Sequence, residues 1–339
     1  MNVVVLNREQ VKASLDMREV LRAVERAYRM KAAGQTGVWP LVSHEFQRYG
    51  AVMDIRSGFV GGDVGLHGLK MLNNFPRNAE KGLPAFNGML MLFDSATGLP
   101  LGVMDASYIT CMRTGAAGAL GAKALARPES RALTVLGAGR QSAFQVAAAL
   151  IEMPGIERVY VADPIDVDNA RRAADALPER LEAEFGIRDR GYVRFAAAGG
   201  LAKAVGESDV VITVTPARSP VIKKEWVRPG THFSCIGADM EGKQEIDPEI
   251  FRTARVFADD LDQCARVGEM ELPIKNGVIS KANVAGELGQ ALAGMLPGRT
   301  DEAQTTIFDA TGLALLDLVT AKLAVEGAAR KKLGLYAEF

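Results

Sequence analysis

The sequence predicts an α/β fold in two domains, on three observations. From Arg131 onward, β-branched and apolar runs alternate with helical stretches at the spacing of a doubly wound parallel sheet with helices on both faces. Before that point a helix is followed by short alternating runs broken by Gly, Asn-Asn and Pro, the pattern of a separate α+β domain. After Gly312 one more helical run follows, and its position beyond the last parallel-sheet elements predicts that it returns to the first domain. The expected organisation is therefore residues 1–126 plus 313–339 as one domain and 127–312 as the other.

Met17–Ala33 places Val20, Leu21, Val24, Ala27, Tyr28 and Lys31 at helical spacing, with Asp16 as N-cap. Leu69–Leu72, Met89–Phe93 and Leu101–Met104 read as strands of one sheet, and Gly115–Leu125 as a closely packed Ala/Gly helix. In the second domain the strands are Ala132–Gly137, Val159–Ala162, Tyr192–Ala197, Val210–Val214, Thr231–Ile236 and Arg255–Ala258. Helices are expected at Gln141–Met153 and Val167–Phe185, and the returning helix at Leu313–Lys332.

Composition excludes several functional classes. Across 339 residues, 48% are hydrophobic and 24% charged, with a formal net charge of −1, which gives no electrostatic footprint for nucleic acid or an anionic membrane. No run approaches the roughly 18 apolar residues of a membrane span, and Met1–Glu9 lacks the basic start of a secretory signal. Cys111, Cys235 and Cys264 are odd in number and lack metal-ligand spacing, so no metal is expected and a reducing, cytoplasmic setting is.

The chemistry begins at Leu133-Thr134-Val135-Leu136-Gly137-Ala138-Gly139-Arg140-Gln141-Ser142-Ala143, where a first strand turns into a helix. Gly137 makes the tight turn and Gly139 lets the backbone approach a pyrophosphate at the helix N-terminus, with Arg140 and Gln141 completing the turn. Ser142 stands where a third glycine is usual. Asp163 ends the next strand 21 residues later, near the roughly 20 expected of an acid that grips a ribose 2′-hydroxyl. This is the fingerprint of a Rossmann-type NAD site, and the carboxylate repels the 2′-phosphate of NADP. Arg140 brings a cation within reach of phosphate. Thr215, past the end of a later strand, falls on the edge where such sheets bind ligands.

Four further stretches narrow the reaction: Gly68–Pro76 around Lys70, Met112-Arg113-Thr114-Gly115, Ile236–Glu245 around Asp239 and Lys243, and Phe308-Asp309-Ala310-Thr311-Gly312. In this order and spacing, together with Lys81-Gly82-Leu83-Pro84 and Glu225-Trp226-Val227, they resemble the ornithine cyclodeaminase/mu-crystallin family. Within it, the chain looks most like the alanine-dehydrogenase-like branch. The resemblance covers nearly the whole chain and implies a homodimer acting on a small amino acid or imine. In it, the first domain and the C-terminal helix bind substrate and dimerise.

The resemblance makes Lys70 and Asp239 catalytic. It places Arg113 on the substrate carboxylate and cofactor phosphates, and Thr114, Lys243 and Thr311 beside the cofactor, with Asp309 and Thr311 closing its cleft. From the residues alone, a lysine between Leu69 and Met71 on a half-buried strand has its ammonium destabilised, which suits proton transfer. The competing reading is an exposed lysine on an edge strand. Asp239 is otherwise an Asx-turn, Arg113 a surface ion pair, and Asp163 a helix cap. His67, Asn73 and Asn74 flank Lys70 and are candidates to line a substrate pocket, with turn and strand-edge roles equally open.

The chain departs from the family where Leu41, Val42 and Ser43 replace a second basic residue, where Met53-Asp54-Ile55-Arg56 replaces Met-Pro-Ala, and where Ala310 replaces a serine. Arg56 either supplies the missing cation or pairs with Asp54 as structure. Ala51 and Val52 stand where cyclodeaminases carry a glutamate. The resemblance thus implies an NAD(H)-dependent amino-acid dehydrogenase or imine reductase, for an alanine-like or dicarboxylate substrate. Its alternatives are a cyclodeaminase with catalytic NAD⁺, or a mu-crystallin-like protein that binds nucleotide and a small ligand without turnover.

Overall fold

The computed structural model describes residues 2–188 and 191–338. The chain opens with β1 (Asn2–Leu6), α1 (Arg8–Ser14), α2 (Met17–Ala32), β2 (Thr36–Val38), β3 (Val42–Phe46), β4 (Ala51–Val60), β5 (Leu66–Asn74), β6 (Phe86–Asp94), β7 (Pro100–Asp105) and α3 (Ala106–Leu125). It continues with β8 (Ala132–Leu136), α4 (Ser142–Glu152), β9 (Arg158–Ala162), α5 (Val167–Phe185), β10 (Arg194–Ala197), α6 (Leu201–Glu207), β11 (Val210–Thr213), β12 (Arg218–Ile222), β13 (His232–Cys235) and β14 (Gln244–Ile246). The last elements are β15 (Arg255–Ala258), α7 (Leu261–Val267), α8 (Glu271–Lys275), β16 (Val284–Glu287), α9 (Leu288–Leu292), β17 (Thr306–Asp309), α10 (Ala314–Lys331) and β18 (Leu335–Glu338).

The chain divides into Met1–Arg113 with Leu313–Phe339, and Thr114–Gly312. The first division lies inside α3, ahead of the 126/127 position read from the sequence. α3 is also longer than its Ala/Gly run because Asp105 starts it early. The Asp105 carboxylate accepts from the backbone N–H groups of Ser107 and Tyr108 at 3.0 and 3.2 Å, as an N-cap does.

In the first unit the sheet order is β18-β1-β7-β6-β5-β4-β2, with β3 also paired to β4. β4, β5, β6 and β7 are antiparallel neighbours, whereas β1 joins β7 in parallel. α10 lies on one face of this sheet. A Cβ at Gly68 would lie 2.3 Å from the Met91 carbonyl oxygen of β6 and 2.8 Å from Leu318 Cδ2 of α10, so a bare residue there suits both the strand pairing and the helix contact. α2 starts at its Asp16 cap and buries Val20, Leu21, Val24, Ala27 and Tyr28, with Met30 rather than Lys31 completing the stripe.

The second unit is an eight-stranded sheet in the order β10-β9-β8-β11-β13-β17-β15-β16, and every pairing in it is parallel. Every residue of β8 and β11 is buried, as in strands covered on both faces. Reversal of chain progression around β8 creates the crevice at the carboxyl edge where such sheets take ligands. No helix among the described residues is long and apolar enough to cross a membrane. Cys111, Cys235 and Cys264 are all buried.

Candidate active site

In the first unit the antiparallel register puts one row of side chains across the covered face. Leu6, Met104, Leu90, Lys70 and Arg56 occupy it on β1, β7, β6, β5 and β4. Three apolar residues lead into two cations. Lys70 is 1% exposed and Arg56 7%, so β5 is no edge and Lys70 no surface lysine. Lys70 Nζ donates to Asp317 Oδ2 of α10 at 2.7 Å, while Arg113 Nε donates to the other oxygen, Asp317 Oδ1, at 3.0 Å. Arg113 is thus in a buried ion pair, not a surface one.

Burial is the main force that lowers the Lys70 ammonium from 10.5 to about 7. Arg113 and Arg56 push the same way, and Asp317 opposes them. Asp317 is itself held below the ordinary carboxylate range: burial pushes it upward, but Arg113 and Lys70 outweigh that. Burying a leucine or methionine contributes about 1.5–3 kcal/mol, whereas each ion removed from water costs several kcal/mol. An apolar row that ends in charged groups therefore sacrifices stability, the signature of a functional site.

Asp317 is absent from the sequence reading. Its signal was a single carboxylate within the apolar helical run Leu313-Ala314-Leu315-Leu316-Asp317-Leu318-Val319.

His67 and Asn73 require correction. Strand side chains alternate, so both project from the face opposite Lys70, while Asn74 shares its face. His67 Nδ1 lies 3.3 Å from Ser95 Oγ, and its ring stacks on Phe93 at 5.3 Å. Asn73 faces Met53 and Asn87 across the strands. Sequence adjacency suggested a common pocket; the two-residue period separates them from it.

In the second unit the expected cofactor residues fall beyond the carboxyl ends of neighbouring strands: Gly137 after β8, Asp163 after β9, Thr215 after β11, Asp239 after β13 and Thr311 after β17. Gly137 has φ +118°, and a Cβ there would lie 2.9 Å from the Val214 carbonyl oxygen. A Cβ at Gly139 would meet nothing within 4 Å. Gln141 makes no side-chain cap bond to α4, and its buried Oε1 has no hydrogen-bond partner. An open approach to an uncapped helix N-terminus fits a dinucleotide pyrophosphate. Ser142 Oγ donates to the Gly139 carbonyl at 2.9 Å, stitching the turn where a third glycine is usual. Arg140 lines an open concavity with Asn169, Arg172 and Arg180.

Asp163 is tied into its own turn. Oδ1 accepts from the N–H groups of Ile165 and Asp166, and Oδ2 accepts from Asn169 Nδ2 at 2.8 Å. It is a turn residue and also a fixed carboxylate at the end of β9. Asp239, with 40% of its side chain exposed, accepts from Lys243 Nζ at 2.6 Å, and Lys243 also donates to the Gly237 carbonyl.

Several threonines serve buried carboxylates. Thr215 donates through N and Oγ1 to Glu245 Oε1 at 2.6 and 2.8 Å, and its hydroxyl accepts from Ala217 N. Its hydroxyl is thereby engaged within its own loop. Thr311 Oγ1 lies between Gln263 Nε2 at 2.7 Å and Asp259 Oδ1 at 3.1 Å. Thr114 is buried, with its carbonyl accepting from Gln145 Nε2.

Asp309 is fully buried and accepts from Glu269 N and Met270 N. Burial, reinforced by Asp259 and Glu245, pushes its carboxyl up to about 8. Burial likewise raises Asp259 and Glu245, and raises Glu269 well above the ordinary range. Glu245 and Glu269 were not anticipated; both sit among polar-looking segments whose burial only the fold creates.

The ornithine cyclodeaminase/mu-crystallin family model matches residues 1–332. The alanine dehydrogenase of Archaeoglobus fulgidus is 38% identical over 335 residues, 98% of each chain. A solved archaeal alanine dehydrogenase dimer with bound NAD superimposes with a TM-score of 0.90 at 36% identity, covering all of both chains. The iminosuccinate reductase of Paracoccus denitrificans in complex with NAD⁺ does so with a TM-score of 0.88 at 30% identity, again over the whole of both.

Proposed function

We propose that this chain, which belongs to the ornithine cyclodeaminase/mu-crystallin family, is an NAD(H)-dependent oxidoreductase. It acts on the CH–NH₂ or C=N bond of a small amino acid or its imine. The observation that carries the reading is the buried cationic cluster of the first unit: Lys70 with Arg56 across the strand and Arg113 tied to the same aspartate.

When bound, NAD(H) would supply reversible hydride transfer at the substrate Cα. Gly137, Gly139, Arg140 and Gln141 would hold the pyrophosphate and Asp163 the adenosine ribose. Thr114, Lys243 and Thr311 complete the proposed cofactor set. Arg113 and Arg56 supply planar guanidinium forks for substrate carboxylate. Lys70 Nζ exchanges protons readily near neutrality, so it takes the proton released as the amine becomes an imine and returns it during reduction. Asp239 supplies a carboxylate to balance an iminium or to activate the water that adds to it. Two carboxylate-binding forks favour an alanine-like or dicarboxylate substrate over a diamine, as does the absence of the cyclodeaminase glutamate at Ala51 and Val52.

A homodimer is supported by the outer face of the first sheet, where Phe59, Met71, Met89 and Met91 are exposed on the side away from Lys70. Three cysteines, odd in number and all buried, suit a cytoplasmic location. The test is a panel of amino acids with NAD⁺, and of 2-oxo acids with NADH plus ammonia or methylamine, followed by nicotinamide absorbance. Net change in NADH is expected with alanine-like or dicarboxylate substrates. Conversion of ornithine to proline without net NADH would overturn the reading in favour of a cyclodeaminase, and binding without any turnover would favour a mu-crystallin-like role.

A further inference from the structure

We propose that Asp317 is a positioning residue that locks Lys70 and Arg113 into one preset geometry for the anionic substrate. The proposal rests on the reading of Lys70 as the proton-handling group. Its basis is the division of labour within one carboxylate: Oδ2 takes Lys70 Nζ at 2.7 Å and Oδ1 takes Arg113 Nε at 3.0 Å. The Asp317 side chain is 1% exposed, as is that of Lys70, so water does not compete for these bonds. A lysine ammonium on a four-carbon stem has no preferred direction of its own, and a fixed acceptor supplies one.

The fold is shaped for this contact. Gly68, two residues from Lys70 on the same face, has no side chain to hold off α10, and Leu318 Cδ2 stands 2.8 Å from where its Cβ would be. A Cβ there would also lie 2.3 Å from the Met91 carbonyl oxygen of β6, so the position is bare toward both the neighbouring strand and the helix that carries Asp317. Among the described residues, the charged groups that act most strongly on Lys70 are Asp317 from α10, Arg113 from α3 and Arg56 from β4, and β6 places Leu90 opposite it. Asp317 is the anion of that set and holds the proton on Lys70 against two guanidinium groups and burial.

The test compares Asp317→Asn, Asp317→Glu and Lys70→Ala in the full chain, with NADH affinity read by fluorescence and kcat and KM read across neutral pH. Asp317→Asn should retain NADH affinity within about twofold and lower kcat/KM roughly 10²-fold, the scale of a 1 Å misplacement. The inflection expected of wild type near pH 7 should move to lower pH. Asp317→Glu keeps the charge but shifts it by a methylene, so it should leave the inflection in place and reduce kcat about tenfold.

A folded Asp317→Asn with the wild-type pH profile and kcat would overturn the proposal. If that variant does not fold, Asp317→Glu decides: wild-type kcat overturns the proposal, and a tenfold loss at unchanged NADH affinity supports it. Lys70→Ala separates the two levels. If it retains turnover, the reading of Lys70 fails. If it is inactive while Asp317→Asn behaves as wild type, only the positioning role fails.

Discussion

Arg56 and Lys70 are directly opposed across the β4–β5 ladder, so two buried cations project side by side from one face of an antiparallel sheet. Like charges in that relation destabilise a sheet. The arrangement is therefore one that an anionic ligand would relieve. Arg56→Ala should raise KM for the amino acid or oxo acid at least tenfold, with a smaller effect on kcat and little on NADH affinity. A dicarboxylate substrate should suffer more than alanine. Steady-state kinetics on both substrate classes check this.

Lys70 should be indispensable to chemistry and dispensable to nucleotide binding. Lys70→Ala is expected to lower kcat by about 10³-fold, within the range of general acid–base catalysis, while NADH fluorescence titrations stay unchanged. The wild-type rate should also show an inflection near pH 7. The sign for stability follows from a folded value of about 7 against 10.5. Between these values the unfolded chain holds the proton more tightly, so Lys70's contribution is present above 10.5 and is lost as pH falls toward 7.

Asp309 predicts the opposite trend. Its folded value of about 8 stands above the ordinary 3.8. Its favourable contribution is present below 3.8 and is lost as pH rises through about 8. Between 3.8 and about 7, below the range in which Lys70 titrates, Asp309 should therefore make wild-type Tm fall as pH rises, and Asp309→Asn should fall less steeply. Differential scanning fluorimetry at several pH values measures both slopes; parallel slopes would remove Asp309 from the account.

Asp163→Ser should relax the preference for NAD over NADP roughly tenfold or more, because the fixed carboxylate at the end of β9 no longer repels a 2′-phosphate. Comparison of kcat/KM for the two cofactors decides, and an unchanged ratio would show that Asp163 serves only its turn.

The alternating strand–helix pattern and the Gly137–Gly139 turn were legible because local spacing dictates both. Lys70 was legible too, as a lysine between apolar neighbours. What surrounds it was not. His67 and Asn73 look adjacent to Lys70 in sequence but belong to the other face of the strand. Asp317 lies far along the chain, and nothing local pairs it with Lys70. Thr215 occupies a cofactor edge in the strand pattern, yet its hydroxyl is claimed by Glu245, a partner 30 residues on. Tertiary contacts decide such assignments, and a single sequence does not display them.

The ion pair that completes the Lys70 site joins residues 247 positions apart. The helix bearing Asp317 follows the entire second unit, which is itself one continuous stretch of chain. At roughly 5–20 residues per second, translation leaves β5 waiting about 12–50 s for that helix. The nucleotide unit is thus free to fold while the first is still missing its last helix. A nascent chain stalled ahead of α10 should accordingly carry a formed nucleotide fold and an unfinished partner, with its buried lysine still without its counter-ion.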